Sequence, residues 1–340
     1  MNTPGFDYVC LGEGEGALLD LEEHLDKGIP VVEGTLDNIR VRGGAKPGVR
    51  APVPSLDMLP WIARDMLKEQ HGVAYMVTQR GCPFPCTFCA ARMYNQMYSG
   101  YGRRRSQDDV HAEIAALREA GATYLIFLDD TFTIKPSWVK EFCGRHEANG
   151  SMPFSLHARA ETTSPAMLEQ LARAGCKHIT YGVESGSYRV RKQIMRRNIT
   201  NQKLIDVFQQ ARDVGILVTA NYILGTPGET CSEIEETLAL HERLDPDDFG
   251  YFVFYPYPGT PLFQTCLEQG LLPDDWQTRP ANHRTSILNL PDLTPADIEH
   301  YYDLFTQARE RHYLRRYAKS LPKQGRETVS ETYKHCAKTG

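Results

Sequence analysis

The sequence predicts an α/β chain built around an open, partial (βα)6 TIM-like barrel, with a short N-terminal α/β extension and a C-terminal helical segment. Three observations predict it. From about residue 73, apolar β-rich runs alternate with helical patterns, the rhythm of a parallel sheet with helical crossovers. The unit recurs six times, where a closed barrel needs eight. Capping residues stand where the helices must begin and glycines where they must end.

Residues 1–72 form the extension. Asp7-Tyr8-Val9-Cys10-Leu11 reads as a short strand running into the Gly/Glu turn 12–15, Ala17–Leu25 as an amphipathic helix, and 29–42 as a hairpin. Pro52, Pro54 and Pro60 punctuate a linker. In the core, 73–260, strands are expected at 73–79, 123–129, 154–159, 178–184, 216–224 and 249–255. Helices are expected near 107–120, 136–149, 164–175, 187–195, 201–214 and 230–243. Ser106, Ser164-Pro165 and Thr200 open helices, and Gly121, Gly175 and Gly215 close them. The last part, 261–340, carries helices near 261–269 and 295–317 and a loose polar tail from Pro322.

Composition narrows the function. A hydrophobic content of 41% in 340 residues supplies a core without staples. No apolar run approaches the roughly 20 residues of a membrane span, and Met1–Asp7 has no secretory pattern, so a cytoplasmic protein without membrane partners is expected. A net charge of −5 argues against nucleic acid as the main partner. Nine cysteines in such a chain are read as thiols.

Three of those thiols crowd into Gly81-Cys82-Pro83-Phe84-Pro85-Cys86-Thr87-Phe88-Cys89, a C-x3-C-x2-C spacing in the loop after the first core strand. Strand carboxyl ends are where such folds place their chemistry. Three thiolates so close can share one soft metal centre. A zinc site would want a fourth ligand nearby, and His111 lies far along a helix. A four-iron cluster would instead keep one iron open to an exogenous ligand. Packed structural cysteines are the plain alternative. Other polar groups stand at later strand ends: Asp129 and Asp130, Arg159, Glu184 and Ser185, and Tyr255.

Over about residues 73–260 the sequence resembles the radical S-adenosylmethionine (SAM) enzymes, whose signature is C-x3-C-x2-C. The resemblance implies that Cys82, Cys86 and Cys89 bind a [4Fe-4S] cluster. It also implies that SAM, chelated to the open iron, is cleaved reductively to methionine and a 5′-deoxyadenosyl radical, with a flavodoxin- or ferredoxin-type electron donor. Phe88, Asp129, Asp130, Glu184, Ser185, Arg196, Arg197, Gly225 and Tyr255 are then the expected SAM contacts. Glu184, Arg159 and Tyr181 are expected on the substrate side, and Cys231 is the candidate thiol hydrogen donor.

The segments Phe127-Leu128-Asp129-Asp130, Gly182–Ser187 and Gly225–Thr230 resemble the branch whose members carry an N-terminal cobalamin domain. Asp7–Glu15 resembles the end of that domain, but no Asp-x-His-x-x-Gly segment is present and few residues precede Asp7. Cobalamin is therefore not expected. Gly12-x-Gly14-x-Gly16 lacks the spacing of a dinucleotide fingerprint. The resemblance implies hydrogen abstraction from a polar small molecule, a sugar or nucleoside in antibiotic biosynthesis, followed by decarboxylation, dehydration or epimerisation: a lyase or isomerase. Methyl transfer, RNA modification and a metal-cluster regulatory module are the alternatives.

Overall fold

The computed structural model describes residues 5–64, 71–98 and 102–317. The polar tail from Pro322, with Cys336, lies outside them.

The N-terminal segment runs β1 (Tyr8–Cys10), α1 (Glu15–Asp26) and β2 (Ile39–Val41). The expected 29–42 hairpin does not form: β2 pairs antiparallel with β1, upstream of α1. Residues 33–38 turn instead, and Val31, Leu36 and Ile39 close over Ala17 in a small cluster of their own. The alternation that looked like two paired strands is apolar side chains dropping from a turn onto α1.

The core continues with β3 (Val73–Met76), β4 (Gln79–Arg80), α2 (Ala91–Met97), β5 (Arg103–Arg104), α3 (Gln107–Glu119), β6 (Tyr124–Phe127) and α4 (Pro136–Ala148). Then come β7 (Phe154–Ala158), α5 (Pro165–Arg173), β8 (Cys176–Glu184), α6 (Asn201–Asp213), β9 (Leu217–Leu224), α7 (Cys231–Leu244) and β10 (Asp248–Val253). Six of these strands form one parallel sheet in the order β10-β9-β8-β7-β6-β3. Two further helices complete the described chain, α8 (Pro261–Glu268) and α9 (Pro295–Tyr317). The six core strands stand where the sequence placed them, within a few residues at each end. The caps are made as expected, with Ser106 accepting from Asp109 N, Ser164 from Met167 N and Thr200 from Lys203 N.

Three departures matter. The first strand breaks after Met76, and β4 leaves to pair with β5 in a separate two-residue ladder. α2 went unread because none of its residues is buried, so it carries no apolar period. The helix expected over 187–195 forms over 188–194, but it widens to a π-helix at Val190–Ile194. Within it the Arg191 guanidinium is fully buried and donates to the carbonyls of Ser185 and Ile199 and to Asn201 Oδ1, tying the turn to the chain on both sides of it.

Side-chain alternation gives the sheet two unlike faces. Phe127, Phe154, Tyr181, Tyr222 and Phe249 point outward and are fully buried under helices. Phe127 meets Phe142 edge-on at 5.4 Å and Phe154 at 5.6 Å, and Tyr222 meets Phe305 of α9 at 5.7 Å. The inward face carries His157, Thr180, Asn221, Ile223 and Phe252, which line a cavity at the carboxyl ends of the strands.

The loop from β8 leaves no room beside α7. A Cβ on Gly186 would lie 2.3 Å from Glu236 O and 2.4 Å from Thr237 Cα, both backbone atoms. Gly186→Ala is expected to destabilise the fold by about 1–3 kcal/mol or more, read as a lowered urea midpoint. Between β9 and α7, Glu229 is buried and accepts from Gly225 N, Thr226 N and Thr226 Oγ1 through Oε2, while Oε1 has no partner among the described residues. Burial pushes its carboxyl up from 4.5 to about 7. The folded chain thus keeps a proton that the unfolded chain releases, so this group's contribution falls as pH rises from about 4.5 to 7. Glu229→Gln, which keeps the accepting oxygen, is expected to flatten that decline in urea melts across this range.

Candidate functional site

The cysteine loop leaves β4 through Gly81, whose φ of +91° suits only glycine, and turns its three thiols toward the cavity. It is pinned from three sides. Thr87 Oγ1 donates to Ile194 O at 2.6 Å, and Thr87 N donates to Met195 O at 3.2 Å, both at the end of the π-turn. Leu262 N at the start of α8 donates to Thr87 O at 3.0 Å, and Asn95 Nδ2 of α2 donates to Cys82 O at 2.6 Å. Cys82 and Cys86 are buried and Cys89 is partly exposed.

The cavity measures about 430 Å³. Besides the three cysteines it is walled by Phe84, Phe88, Asp130, Thr131 and Arg159, by the inward side chains of β7 to β10, and by Glu184, Arg197, Tyr255, Tyr257 and His283.

Its polar wall is one connected charge network. Arg197 is 2% exposed. Its Nη2 reaches both Glu161 oxygens at 3.1 and 3.0 Å, and its Nη1 reaches Glu184 Oε1 at 3.0 Å and Gly182 O at 2.7 Å. Glu161 also receives Arg159 Nη2 at 2.7 Å. Arg159 Nη1 in turn donates to Cys86 Sγ at 3.0 Å, and its guanidinium lies 3.9 Å over the Phe84 ring. Glu184 enters the network at a β-bulge with φ of +70°, a conformation that costs about 1–3 kcal/mol in a non-glycine residue.

The electrostatics differ along this wall. Burial pushes the Glu184 carboxyl up, further than Arg197 pulls it down. Glu161 is similarly enclosed, 16% exposed against 13% for Glu184, but Arg197 and Arg159 together hold it below the usual carboxylate range. The same cation thus serves two carboxylates whose shifts run in opposite directions. Partial desolvation in the cavity raises Asp130 and lowers His157, although both side chains stay open to solvent.

Not every expected residue is here. Cys82, Cys86, Cys89, Phe88, Asp130, Arg159, Glu184, Arg197 and Tyr255 share the cavity. Asp129 does not: it is fully buried behind the wall, with its oxygens taken by Thr78 N, Thr78 Oγ1 and Gln79 N. Tyr181 stands one residue out of phase with Thr180 and Gly182, so it points outward, donating to Thr163 Oγ1 and packing on Phe208. Ser185 is buried against Thr237 Oγ1. Arg196, at φ +54°, turns to the surface while Arg197 turns in. A Cβ on Gly225 would meet Ile298 Cδ1 of α9 at 2.7 Å, and Gly225 does not line the cavity. Cys231 starts α7 and packs against the core on the far side of the sheet, beside Tyr301.

Residues the sequence did not single out complete the wall. Glu161 lies two residues past Arg159, an i, i+2 spacing that was a readable signal. His157, Thr180 and Asn221 follow from strand parity once the inward face is known. His283 comes from a loop without any period; its Nε2 meets Tyr257 OH at 2.9 Å at the cavity mouth.

The donor set suits a soft multi-iron centre. It is three thiols with no histidine, and burial raises Cys82 and lifts Cys89 to about 11, an arrangement that a cationic centre would relieve by stabilising thiolates. Among the described residues no three His, Cys, Asp or Glu side chains converge as a single-ion site requires; a cluster takes each thiolate on a separate iron. His111 lies apart, packed on Phe142 at 5.5 Å.

A six-stranded parallel half-barrel with this loop at its mouth defines the class: residues 76–241 match the radical SAM superfamily and form a radical SAM domain. The chain is 31% identical over 283 residues to an uncharacterized methyltransferase of Pyrococcus horikoshii, covering 79% of this chain and 60% of that protein. It is 25% identical to the cytidylyl-2-hydroxyethylphosphonate methyltransferase of Streptomyces wedmorensis, over 86% of this chain and 63% of that one. The chain thus spans about three-fifths of these curated relatives. Among solved structures, the cobalamin-dependent SAM radical enzyme OxsB superposes with a TM-score of 0.70 at 17% identity, over 97% of this chain and 55% of that one. The radical SAM methyltransferase TsrM of Kitasatospora setae gives 0.63 at 17% identity, over 78% and 54%. Both share the fold. Among the described residues no helix is long and apolar enough to cross a membrane.

Arg197→Met would leave Glu184 without its cation and Glu161 with Arg159 alone, both carboxylates largely enclosed. The expected loss is about 3–5 kcal/mol, measured by urea unfolding.

Proposed function

We propose that this chain is a radical SAM enzyme acting on a polar small molecule bound in the strand-end cavity. The observation that carries it is the junction of three thiols from one loop with the Arg159–Glu161–Arg197–Glu184 network in a single cavity. Cys82, Cys86 and Cys89 are the ligands of a [4Fe-4S] cluster in this reading. When bound, the cluster and SAM supply a one-electron cleavage of the sulfonium, with the electron coming from a flavodoxin- or ferredoxin-type donor.

The rest is the work of the chain's own residues. Asp130 offers a carboxylate for the SAM ammonium, and Phe88 and Tyr255 offer apolar faces for its adenine. Deeper in, His157, Thr180 and Asn221 offer acceptors and donors to a hydroxylated substrate. Glu184, aimed by Arg197, can exchange a proton with a substrate hydroxyl or leaving group. Phe252, Tyr257 and His283 line the open mouth. This lining favours a sugar or nucleoside from which a hydrogen is abstracted, ahead of decarboxylation, dehydration or epimerisation.

A second reading is methyl transfer with cobalamin. It is favoured by the methyltransferases among the relatives and by the cobalamin-dependent fold neighbours.

One assay separates them. The chain is reconstituted anaerobically with iron and sulfide, reduced and given SAM, with and without cobalamin and with uronic-acid and nucleoside candidates. Products are read by mass spectrometry. 5′-Deoxyadenosine and methionine, lost in Cys82→Ala, are expected from the first reading. S-Adenosylhomocysteine formed only with cobalamin would favour the second. A loaded cluster that leaves SAM intact under every condition would make the chain a cluster-binding regulatory module and sink both.

A further inference from the structure

Among the described residues, Arg159 is the cavity side chain that touches both the cysteine loop and the carboxylate network, and its setting is specific. Its guanidinium is held flat on Phe84, a residue of the cysteine loop itself, at 3.9 Å. Nη1 donates to Cys86 Sγ at 3.0 Å, Nη2 donates to Glu161 Oε1 at 2.7 Å, and Nε is buried with no partner among the described residues. The side chain is 11% exposed, so its charge is weakly screened by water. Beyond it the signs alternate: Glu161 is shared with Arg197, and Arg197 with Glu184.

Reduction adds negative charge to a thiolate-bound cluster. A buried cation that donates a hydrogen bond to one of the ligand sulfurs stabilises the reduced form and raises the potential. A carboxylate bonded to that cation works the other way, by drawing its charge off the sulfur. Glu161 is held below the usual carboxylate range by the two arginines and stays an anion.

We propose that Arg159 is a positioning residue that sets the reduction potential of the cluster through its N–H to Cys86 Sγ, and that Glu161 opposes it. The inference rests on the reading of Cys82, Cys86 and Cys89 as cluster ligands. It goes beyond that reading by giving the network between cluster and substrate cavity an electronic role.

The test is a dye-mediated redox titration of the reconstituted full chain, monitored by the electron paramagnetic resonance of the reduced cluster. Wild type is compared with Arg159→Met, Arg159→Lys and Glu161→Gln, with iron and sulfide counted in each. The midpoint is expected to move negative in Arg159→Met, to be restored in part by Arg159→Lys, and to move positive in Glu161→Gln. A merely structural role would not shift two variants of one ion pair in opposite directions. The midpoint belongs to each loaded molecule, so it is readable from a partly loaded sample. If Arg159→Met takes up no iron, the other two variants carry the comparison. Midpoints equal to wild type, or shifts of one sign throughout, would overturn the inference while leaving the cluster in place. A wild-type chain that takes up no reducible cluster would instead overturn the cluster reading beneath it.

Discussion

The constraint on which the rest of the site depends is the burial of one guanidinium. Arg197 lies 2% exposed, and an unpaired ion there would cost several kcal/mol. Its compensation comes from two carboxylates on different elements, Glu161 just past β7 and Glu184 at the end of β8. Meeting both fixes the separation of those strand ends. It also holds Glu184 in its left-handed conformation, which an isolated strand would shed. The segment that delivers Arg197 is the π-turn, at whose end the Ile194 and Met195 carbonyls hold Thr87 between Cys86 and Cys89. The ion pair at the cavity wall and the position of the cysteine loop are therefore one structural fact.

The same dependence explains how far the sequence could be read. The six strands and most helices were legible because burial imposes a period on them, two for strands and 3.6 for helices. The cysteine loop was legible because three soft ligands at close spacing have few other uses. The failures cluster where local pattern does not determine direction. Tyr181 is the exception: it is three residues from Glu184, so strand parity alone puts the two on opposite faces, as the structure has them. Arg196 and Arg197 are chemically equal in the sequence, and a single left-handed φ at Arg196 sends one out and the other in. Gly225 looked like a place of close approach and is one, but the approaching body is Ile298 of α9, 73 residues downstream. The expected 29–42 hairpin failed for the related reason that β2 found its partner before α1, not beside itself.

The N-terminal segment is tied to the site from behind. Glu13 pairs with Arg80 and Arg103, the residues of the β4–β5 ladder from which the cysteine loop departs, and its backbone N–H donates to Tyr98 OH at 2.8 Å. Glu13 is buried at 8% exposure, so these are not surface pairs. Together they brace the far side of the loop. A second cavity lies there, lined by Gly12–Glu15, Gln79, Arg80, Leu128, Cys89 and Asp130. Cys89 and Asp130 thus form a partition with open space on both sides.

An open barrel has to solve a problem that a closed one does not: its first and last strands have no neighbour to complete the ladder. Here the last strand is covered by later chain. His283 O accepts from Val253 N, His312 meets Asp247 O, and Tyr251 bonds Thr306 and stacks on Phe305. The helical segment after β10 is therefore part of the barrel's construction. The loop that carries His283 reaches the cavity at its mouth, through Tyr257, and makes no bond to the cysteine loop or to the charge network among the described residues. Its sequence can therefore change the mouth without disturbing either. The cysteine loop and the charge network are thereby carried by the β4 and β7–β8 ends, and the cavity mouth by β10 and the His283 loop.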